Sequence, residues 1–425
     1  MWKYILPWGL ICVMMLMVSD IKAQSKANAG EKAWEFNAEE NMVAPVFANG
    51  KIYVGNSKVM YCLDAQTGKK NSEFNVEVKQ PILSLLVDNN KLYTWGWAGQ
   101  PRNIQGGLQV EMNIKTEVCC FDVKTGKKIW EYTGPAGTRF ALPPLGPALY
   151  KGKLFVPGGC SEEPGGFTCL DAQTGKTLWK DSGVGVMHSA PVVYNDYIYV
   201  TTVCPLNTIR CYQINGSTKK DTVDIKLKWE FPGNPTSSHC ENSISIYKNK
   251  AYRYGTHLSR FDLTPDQKKP KVTELSNPPS SGSQAALAQD AERLYVSLGN
   301  ELYCLDKTDE QKGGNPFSPG GKLSFPAVAG GKIYVGCENN NLYCVDVKTG
   351  NKLWEFTCED LIEHSFSGNS GVAKKISAPI LAKGKIYLTG GKKLYCIESG
   401  DSKTDGWYVE GGGPERGGYN RNELK

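Results

Sequence analysis

The segment Tyr61–Lys69, which reads YCLDAQTGK, decides the fold of this chain because close copies of it recur along the sequence. Clear copies begin at Cys120, Cys169 and Cys344. Weaker copies begin at Cys211, Cys304 and Cys396. Alternating apolar residues before the aspartate predict a strand. The Asp-x-x-Thr-Gly sequence predicts a tight reversal, because it supplies a side-chain acceptor and a glycine that is free to adopt positive φ. Each copy therefore encodes a strand, a turn and a second strand.

Each copy belongs to a larger unit of four predicted strands, which we label a to d. Strand a is short and contains Ala or Pro, as in Ala44–Val46, and strand b follows it, as in Lys51–Gly55. The copy itself supplies strand c and the turn, and strand d carries a tryptophan, as in Trp130–Tyr132. Four-stranded units that recur at intervals of a few tens of residues are typical of a β-propeller.

The number of units follows from the candidates for strand a. They begin near Ala44, Pro81, Leu142, Ala190, Ser243, Ala285, Pro326 and Ala378. The last unit ends at Glu398 without a strand d, whereas Ala33–Phe36 resembles a strand d that lacks a unit. The sequence therefore predicts an all-β, eight-bladed propeller of four-stranded blades over residues 30–400. The N-terminal strand is expected to complete the last blade and so to remove an exposed sheet edge.

The two ends of the chain have a different composition from the repeats. The apolar run Tyr4–Val18 follows Lys3 and precedes Ala23, which predicts a signal peptide over residues 1–23. The protein is therefore expected to be exported to the periplasm or another extracytoplasmic compartment, with no transmembrane span after cleavage. Residues 401–425 are predicted to form a flexible Gly-rich tail. A net charge of +6 over 425 residues does not indicate nucleic-acid binding.

The thirteen cysteines that follow the predicted signal peptide fall into two groups. Seven occupy the same position of strand c in different units, where equivalent residues of neighbouring blades are too far apart for a disulfide, so they are expected to be small buried hydrophobic residues. They are Cys62, Cys120, Cys169, Cys211, Cys304, Cys344 and Cys396. The others leave disulfide pairing after export open. They are Cys119, Cys160, Cys204, Cys240, Cys337 and Cys358.

Antiparallel strands sort the loops onto two faces, because b–c and d–a connections must share one face while a–b and c–d connections share the other. The first group is long and varied and includes the insertion Gly96–Val118 of the second unit; we call its side the long-loop face. Such loops on a rigid ring favour binding of a protein partner in the cell envelope. The candidate partner-binding residues are Trp95, Trp97, Arg139, Phe140, His188, His239 and Phe366.

The same face holds all four histidines, so a metal site is an alternative. Its candidate ligands are His188, His239, Cys240, His257 and His364. None of them have metal-binding spacing in the sequence, and loops also tolerate these residue types without a metal. No cofactor is predicted, and pyrroloquinoline quinone (PQQ) or a metal ion is kept as the alternative.

The repeat resembles the PQQ-like propeller repeat, whose motif reads Ala-x-Asp-x-x-Thr-Gly-Lys-x-x-Trp, with Cys here in place of Ala. The resemblance implies either a quinoprotein dehydrogenase or a non-enzymatic propeller of the outer-membrane assembly type. Dehydrogenases of this family have a disulfide between adjacent cysteines, and Cys119 with Cys120 invites that comparison; however, Cys120 keeps the repeat register in strand c. No Cys-x-x-Cys-His haem motif is present.

The chain therefore resembles the non-enzymatic branch more closely, and we expect a binding or assembly scaffold rather than an enzyme. Two alternatives remain. One is a periplasmic oxidoreductase of the quinoprotein or metal-dependent type, and the other is an accessory subunit of a cell-envelope electron-transfer complex.

Overall fold

The computed structural model describes residues 28–407 and 412–413, apart from residues 104–108, 135–136, 140–145, 158–165, 185–186, 188, 203–207, 216–221, 233–243, 255–256, 264–268, 276–284, 308–314 and 360–375. The described residues form β-strands that pair antiparallel in eight sheets, and no helix is among them. The predicted signal peptide lies outside the described residues. The all-β, eight-bladed propeller is confirmed.

Each sheet is one blade, and within a blade the strands follow the order a, b, c, d. Blade 1 consists of β2 (Val46–Ala48), β3 (Lys51–Gly55), β4 (Val59–Asp64) and β5 (Lys70–Asn75). Blade 2 consists of β6 (Ile82–Asp88), β7 (Lys91–Asn103), β8 (Gln109–Asp122) and β9 (Lys128–Thr133), and the short strand β10 (Gly137–Arg139) also pairs with β8. Blade 3 consists of β11 (Ala148–Tyr150), β12 (Lys153–Pro157), β13 (Phe167–Asp171) and β14 (Thr177–Asp181).

The next two blades keep the same order. Blade 4 consists of β15 (Val192–Tyr194), β16 (Tyr197–Thr202), β17 (Thr208–Ile214) and β18 (Ile225–Pro232). Blade 5 consists of β19 (Ile244–Tyr247), β20 (Lys250–Tyr254), β21 (Leu258–Asp262) and β22 (Lys271–Leu275).

Blade 6 departs from the four-strand rule within the described part of the chain. It consists of β23 (Ala285–Gln289), β24 (Arg293–Leu298) and β25 (Glu301–Asp306). The position of strand d is held by one isolated bridge between Leu302 and Phe317. Lys322–Phe325, which follows this blade in the sequence, does not serve as its outer strand, because Leu323 bridges to Cys337 of the next blade.

The last two blades bring the two ends of the chain together. Blade 7 consists of β26 (Ala327–Ala329), β27 (Lys332–Gly336), β28 (Asn341–Asp346) and β29 (Lys352–Thr357). Blade 8 consists of β30 (Ile380–Ala382), β31 (Lys385–Gly390), β32 (Lys393–Glu398) and the N-terminal strand β1 (Lys32–Asn37). Strand β1 pairs antiparallel with β32, which confirms the predicted closure by the N-terminal strand.

The turn between strands c and d is built as the repeat motif requires. In blade 1, an oxygen of Asp64 accepts hydrogen bonds from the amide of Gln66 and from the amide and hydroxyl of Thr67. These bonds to Thr67 hold the pKa of Asp64 below its usual value. Gly68 then adopts a φ of +72°, which a residue with a side chain rarely does.

Neighbouring blades are joined where this turn meets the aromatic residues of the preceding blade. Trp34 and Tyr387 of blade 8 both donate to the carbonyl oxygen of Ala65 in blade 1, from Nε1 at 3.2 Å and from the hydroxyl at 3.0 Å. Trp130 and Tyr93 of blade 2 do the same to Ala172 of blade 3, at 3.3 and 3.0 Å. We call this arrangement the Trp–Tyr–carbonyl contact.

The glycine of the turn has no side chain and so leaves the space that the tryptophan ring occupies. A Cβ atom on Gly68 would lie 2.5 Å from the ring of Trp34, and one on Gly175 would lie 2.6 Å from the ring of Trp130. The N-terminal segment takes part in this packing twice. Its Gly30 lies beneath the ring of Trp354 from blade 7, whereas its Trp34 contacts blade 1. Ring closure between blades 8 and 1 therefore uses the same contact as the interface between blades 2 and 3.

The prediction of a flexible tail is wrong for its first seven residues. Trp407 is fully buried, and its backbone exchanges two hydrogen bonds with Leu381, at 2.7 and 3.1 Å. Leu381 belongs to β30, whose other edge pairs with β31, so Trp407 extends the sheet of blade 8 towards the axis of the ring. Two further contacts hold the segment that precedes Trp407. The amide of Gly384 donates to the carbonyl oxygen of Thr404, and Asp401 forms an ion pair with Lys332. Gly412 and Gly413 are also buried, and the flexibility of the other residues of 408–425 stays a prediction.

We expect Gly68→Ala to destabilise the protein more than Gly350→Ala. Both glycines have almost the same φ, +72° and +71°, and both close an Asp-x-x-Thr-Gly turn, but no atom lies within 4 Å of a Cβ placed on Gly350. The two variants therefore share the backbone strain, while only Gly68→Ala displaces Trp34. The free energy of unfolding should differ between them by about 1–3 kcal/mol. Thermal and urea unfolding measure this difference, and equal losses would contradict the contact.

Replacing Trp407 with Ala should lower the free energy of unfolding by about 3–5 kcal/mol, because a fully buried indole leaves a cavity. The control is truncation after Gly413, which keeps every described residue and is expected to cost less than about 0.5 kcal/mol. Urea unfolding of both variants tests this. Wild-type stability of Trp407→Ala would mean that the C-terminal segment is not anchored to blade 8.

Candidate protein-binding face

The face opposite the long loops is made of short turns. Strands a and b are joined there by two-residue turns in which both residues have positive φ, as at Asn49–Gly50, Lys151–Gly152 and Gly330–Gly331. Such turns suit the right-handed twist of a hairpin. This face is therefore uniform around much of the ring, and the variation between blades is concentrated on the long-loop face.

The main feature of the long-loop face is an extension of blade 2. Strands β7 and β8 stay paired beyond the blade as far as Asn103 and Gln109. Strand β10 joins them, with Gly137 opposite Ile114. At a rise of about 3.3 Å per residue, the extension projects by about 20 Å. The described part of the predicted insertion Gly96–Val118 therefore continues strands β7 and β8 as a hairpin, to which β10 adds a third strand, rather than forming an irregular loop.

One edge of this extension has no neighbouring strand within the described residues. The pairing of β6 with β7 ends where Ile82 lies opposite Gly96. From Trp97 to Asn103, β7 pairs with β8 only. Backbone N–H and C=O groups along such an edge are able to pair with an extended segment of another chain.

The base of the extension is fixed by a buried carboxylate that the sequence analysis did not single out. Glu117 is 3% exposed, and its Oε2 accepts the amides of Lys79 at 2.8 Å and Gln80 at 2.9 Å. These amides belong to the connection from blade 1 to blade 2. Nearby, the side chain of Lys79 forms an ion pair with Glu131 of β9. The sequence signal that could have identified Glu117 is an acidic residue at an inward-facing position of a strand.

The partner-binding residues predicted from the sequence have different outcomes. Trp95 is 1% exposed and packs in the core between blades, so its prediction as a surface anchor is wrong. The reason is register, because Trp95 still lies opposite Ser84 of β6 inside the blade. Trp97 and Arg139 lie on β7 and β10 of the extension, and their side chains are outside the described part of the structure. Outside the described residues altogether lie Phe140, His188, His239 and Phe366.

The predicted metal ligands remain largely untested for the same reason. His188, His239, Cys240 and His364 lie outside the described residues. His257 is exposed in the turn between strands b and c of blade 5, and it belongs to no cluster of ligand residues in the described part. The cluster found there consists of Glu117, Cys119 and Glu131.

The seven repeat cysteines lie in strand c of their blades as free thiols, and all except the half-buried Cys304 are buried. This confirms their interpretation as packing residues. Cys119, Cys337 and Cys358 are also free and buried, so no disulfide joins any two of these three. Cys160, Cys204 and Cys240 lie outside the described residues.

Comparison with known proteins decides the family. The family model described as "Outer membrane protein assembly factor BamB" matches residues 19–161, 114–256 and 249–400, which together cover nearly the whole propeller. The chain belongs to this PQQ-like family. Among curated relatives, it is 22% identical over 253 residues to an outer membrane protein assembly factor BamB of Shewanella oneidensis, which is 55% of this chain and 60% of that protein.

A quinohemoprotein alcohol dehydrogenase of Comamonas testosteroni is 23% identical over 165 residues, which is 35% of this chain and 21% of that protein. The chain thus matches less than two thirds of the length of either relative. Solved structures share the fold across 87% of the chain. They include BamB from Moraxella catarrhalis (TM-score 0.56, 12% identity, 97% of that chain) and a europium-containing methanol dehydrogenase (TM-score 0.53, 14% identity, 93% of that chain).

Neither the Cys119–Cys120 pair nor the acidic cluster of Glu117 and Glu131 is placed to hold a quinone at the axis of the ring. Cys119 and Cys120 are separate free thiols on opposite faces of β8, because successive side chains of a strand alternate. Strand c is the third strand from the axis, and the acidic cluster of Glu117 and Glu131 lies on strands c and d, away from the axis.

No helix within the described residues is long and apolar enough to cross a membrane.

The buried thiols lead to a testable consequence. Burial raises the pKa of Cys120, Cys169 and Cys344 to about 12, against about 8.5 for an unfolded cysteine. Because the unfolded state loses its thiol protons first, stability should fall as the pH rises above about 8.5. Thiol reagents at pH 8 should label these cysteines only after denaturation. Rapid labelling of any of the three in the native protein, located by mass spectrometry, would contradict their burial.

Proposed function

We propose that this chain is an exported protein-binding scaffold that acts in outer-membrane protein assembly and uses its long-loop face. The observation that carries the proposal is the three-stranded extension of blade 2, which projects from an otherwise closed ring and has a free edge along Trp97–Asn103 among the described residues. The family match supports the assembly role, since the relative from Shewanella oneidensis is an outer membrane protein assembly factor.

The physical basis of binding is the difference between the two faces. A propeller closes its sheets into a ring and so leaves few edges where another chain could add a strand. The extension provides such an edge, outside the ring and away from the aromatic contacts between blades. An extended segment of a partner could therefore pair with β7 without any change in the propeller.

The oxidoreductase alternative is not favoured, because the family model that covers nearly the whole propeller is described as an outer membrane protein assembly factor. The accessory role in a cell-envelope electron-transfer complex stays a prediction. The proposed compartment is the periplasm, which is where a chain of this family would meet outer-membrane proteins during their assembly.

Replacing residues 98–114 with a short Gly-Ser turn should reduce partner capture at least tenfold while the melting temperature stays nearly unchanged, because the extension adds little to the core. The measurement is affinity capture from cell-envelope extract, with quantification of captured outer-membrane assembly proteins by mass spectrometry. The control is Lys151→Glu, on the short-turn face, which should capture as much as the wild type.

Three results would contradict the proposal. The first is undiminished capture by the shortened variant, and the second is loss of capture by Lys151→Glu alone. The third is a captured set that contains electron-transfer proteins and no assembly proteins, which would favour the accessory role.

A further inference from the structure

Blade 2 departs from the repeat next to its packing cysteine. In strand c, the residue before the repeat cysteine is Tyr61 in blade 1 and Tyr343 in blade 7, and each lies opposite a glutamate of strand d. Blade 2 keeps the glutamate, Glu131, but has Cys119 in place of the tyrosine. Cys119 is fully buried and on the opposite face of β8 from Cys120. This thiol is therefore not one of the repeat packing residues.

Glu117 lies two residues before Cys119 on the same face of β8 and is also buried. Its Oε2 is satisfied by two backbone amides, from Lys79 and Gln80. Its Oε1 is buried and accepts no hydrogen bond from an N–H or O–H group of the described residues, and the thiol of Cys119, a weak donor, lies beside the carboxylate. Burying a carboxylate oxygen with so weak a partner is costly, so a positively charged ligand at this oxygen would remove the penalty.

The three side chains converge. One ligand atom from each of Glu117, Cys119 and Glu131 lies within 4.8 Å of the others. In a tetrahedral zinc site, sulfur and oxygen ligands are separated by about 3.3–3.5 Å, given bonds of about 2.3 Å to sulfur and 2.0 Å to oxygen. A shift of about 1 Å would bring the atoms to these separations. Glu131 is only partly buried, with 31% of its side chain exposed, and can make this movement.

Two lysines neutralise the cluster on its outer side. Lys79 and Lys128 both form ion pairs with Glu131, and among the described residues neither ammonium group forms a hydrogen bond to Oε1 of Glu117. Without a metal, two carboxylates and two ammonium groups balance. With Zn²⁺ and a thiolate, the local charge becomes +2 − 3 + 2 = +1. Lys79, whose side chain is 63% exposed, is free to move outward and release Glu131.

We propose that Glu117, Cys119 and Glu131 form a zinc-binding site between blades 1 and 2, with the fourth position open to water. The site lies at the base of the extension and would tie β8 and β9 to the connection between the two blades. It is independent of the proposed function. Binding of Zn²⁺ replaces the thiol proton of Cys119, which leaves to solvent, so one proton is released for each zinc bound. The apparent affinity should therefore rise about tenfold per pH unit around neutrality.

The test is titration of the metal-free, full-length protein with ZnCl₂ by isothermal calorimetry, in two buffers of different ionisation enthalpy. We expect one zinc per chain with release of one proton. Titration with Cd²⁺ should produce the ultraviolet absorption of a thiolate–cadmium bond. Cys119→Ala should weaken zinc binding at least 100-fold and abolish that absorption, whereas Cys344→Ala, which removes a repeat cysteine in blade 7, should change neither.

A further variant is expected to gain zinc affinity, so the test does not depend only on loss of binding. Lys79→Gln removes one competitor for Glu131, so it should bind zinc several-fold more tightly than the wild type, whereas Glu131→Gln should bind about tenfold more weakly. Circular dichroism establishes that each variant is folded. Absence of zinc binding by the wild type would overturn the proposal. So would binding that Cys119→Ala leaves unchanged, since that result would place the metal at other residues.

Discussion

The carbonyl oxygen of Ala65 receives two hydrogen bonds from the preceding blade, one from the indole of Trp34 and one from the hydroxyl of Tyr387. A carbonyl has two lone pairs, so both donors are satisfied by one acceptor, and the buried Tyr387 and the half-buried Trp34 meet at one interface. The rings also contact each other, at 5.8 Å between centroids. The same contact joins blades 2 and 3, and between blades 8 and 1 it closes the ring.

The irregular blades keep interfaces of this kind by other means. Blade 6 has no tryptophan at the equivalent place, and space is left beside Gly350 of blade 7. At this interface, the guanidinium of Arg293 donates to the carbonyl oxygen of Val347, the position equivalent to Ala65. Phe317 packs edge-on against Tyr343, as Phe36 does against Tyr61. At blade 8, the buried Trp407 of the C-terminal segment pairs with β30, at the edge of the sheet opposite the strand contributed by the N-terminus. Both ends of the described chain thus stabilise the blade in which the ring closes.

The same rigidity explains how one blade can carry a large extension. The contact from Trp130 to Ala172 and the buried packing of Trp95 hold blade 2 from within. Glu117 then holds the base of the extension against the connection from blade 1. Strands β7 and β8 can therefore extend beyond the ring without destabilising it. The extension adds a distinct surface to a fold that enzymes and binding proteins share.

The sequence by itself determined the eight blades, their strand order and the closure by Ala33–Phe36, because these follow from local periodicity and from a turn motif in which Asp64 and Gly68 have fixed roles. It also predicted correctly that the repeat cysteines are packing residues. In each case the information lies within a few residues of the chain, and repetition made it readable.

Only the tertiary structure decided what depends on contacts between distant residues. Trp95 looked like an exposed anchor until its register opposite Ser84 placed it in the core. Trp407 looked like part of a mobile tail, because its partner Leu381 belongs to another element and a Gly-rich segment gives no local signal. The convergence of Glu117, Cys119 and Glu131 likewise required the pairing of two strands and the burial of one carboxylate between blades, since sequence spacing alone does not determine which side chains share a buried space.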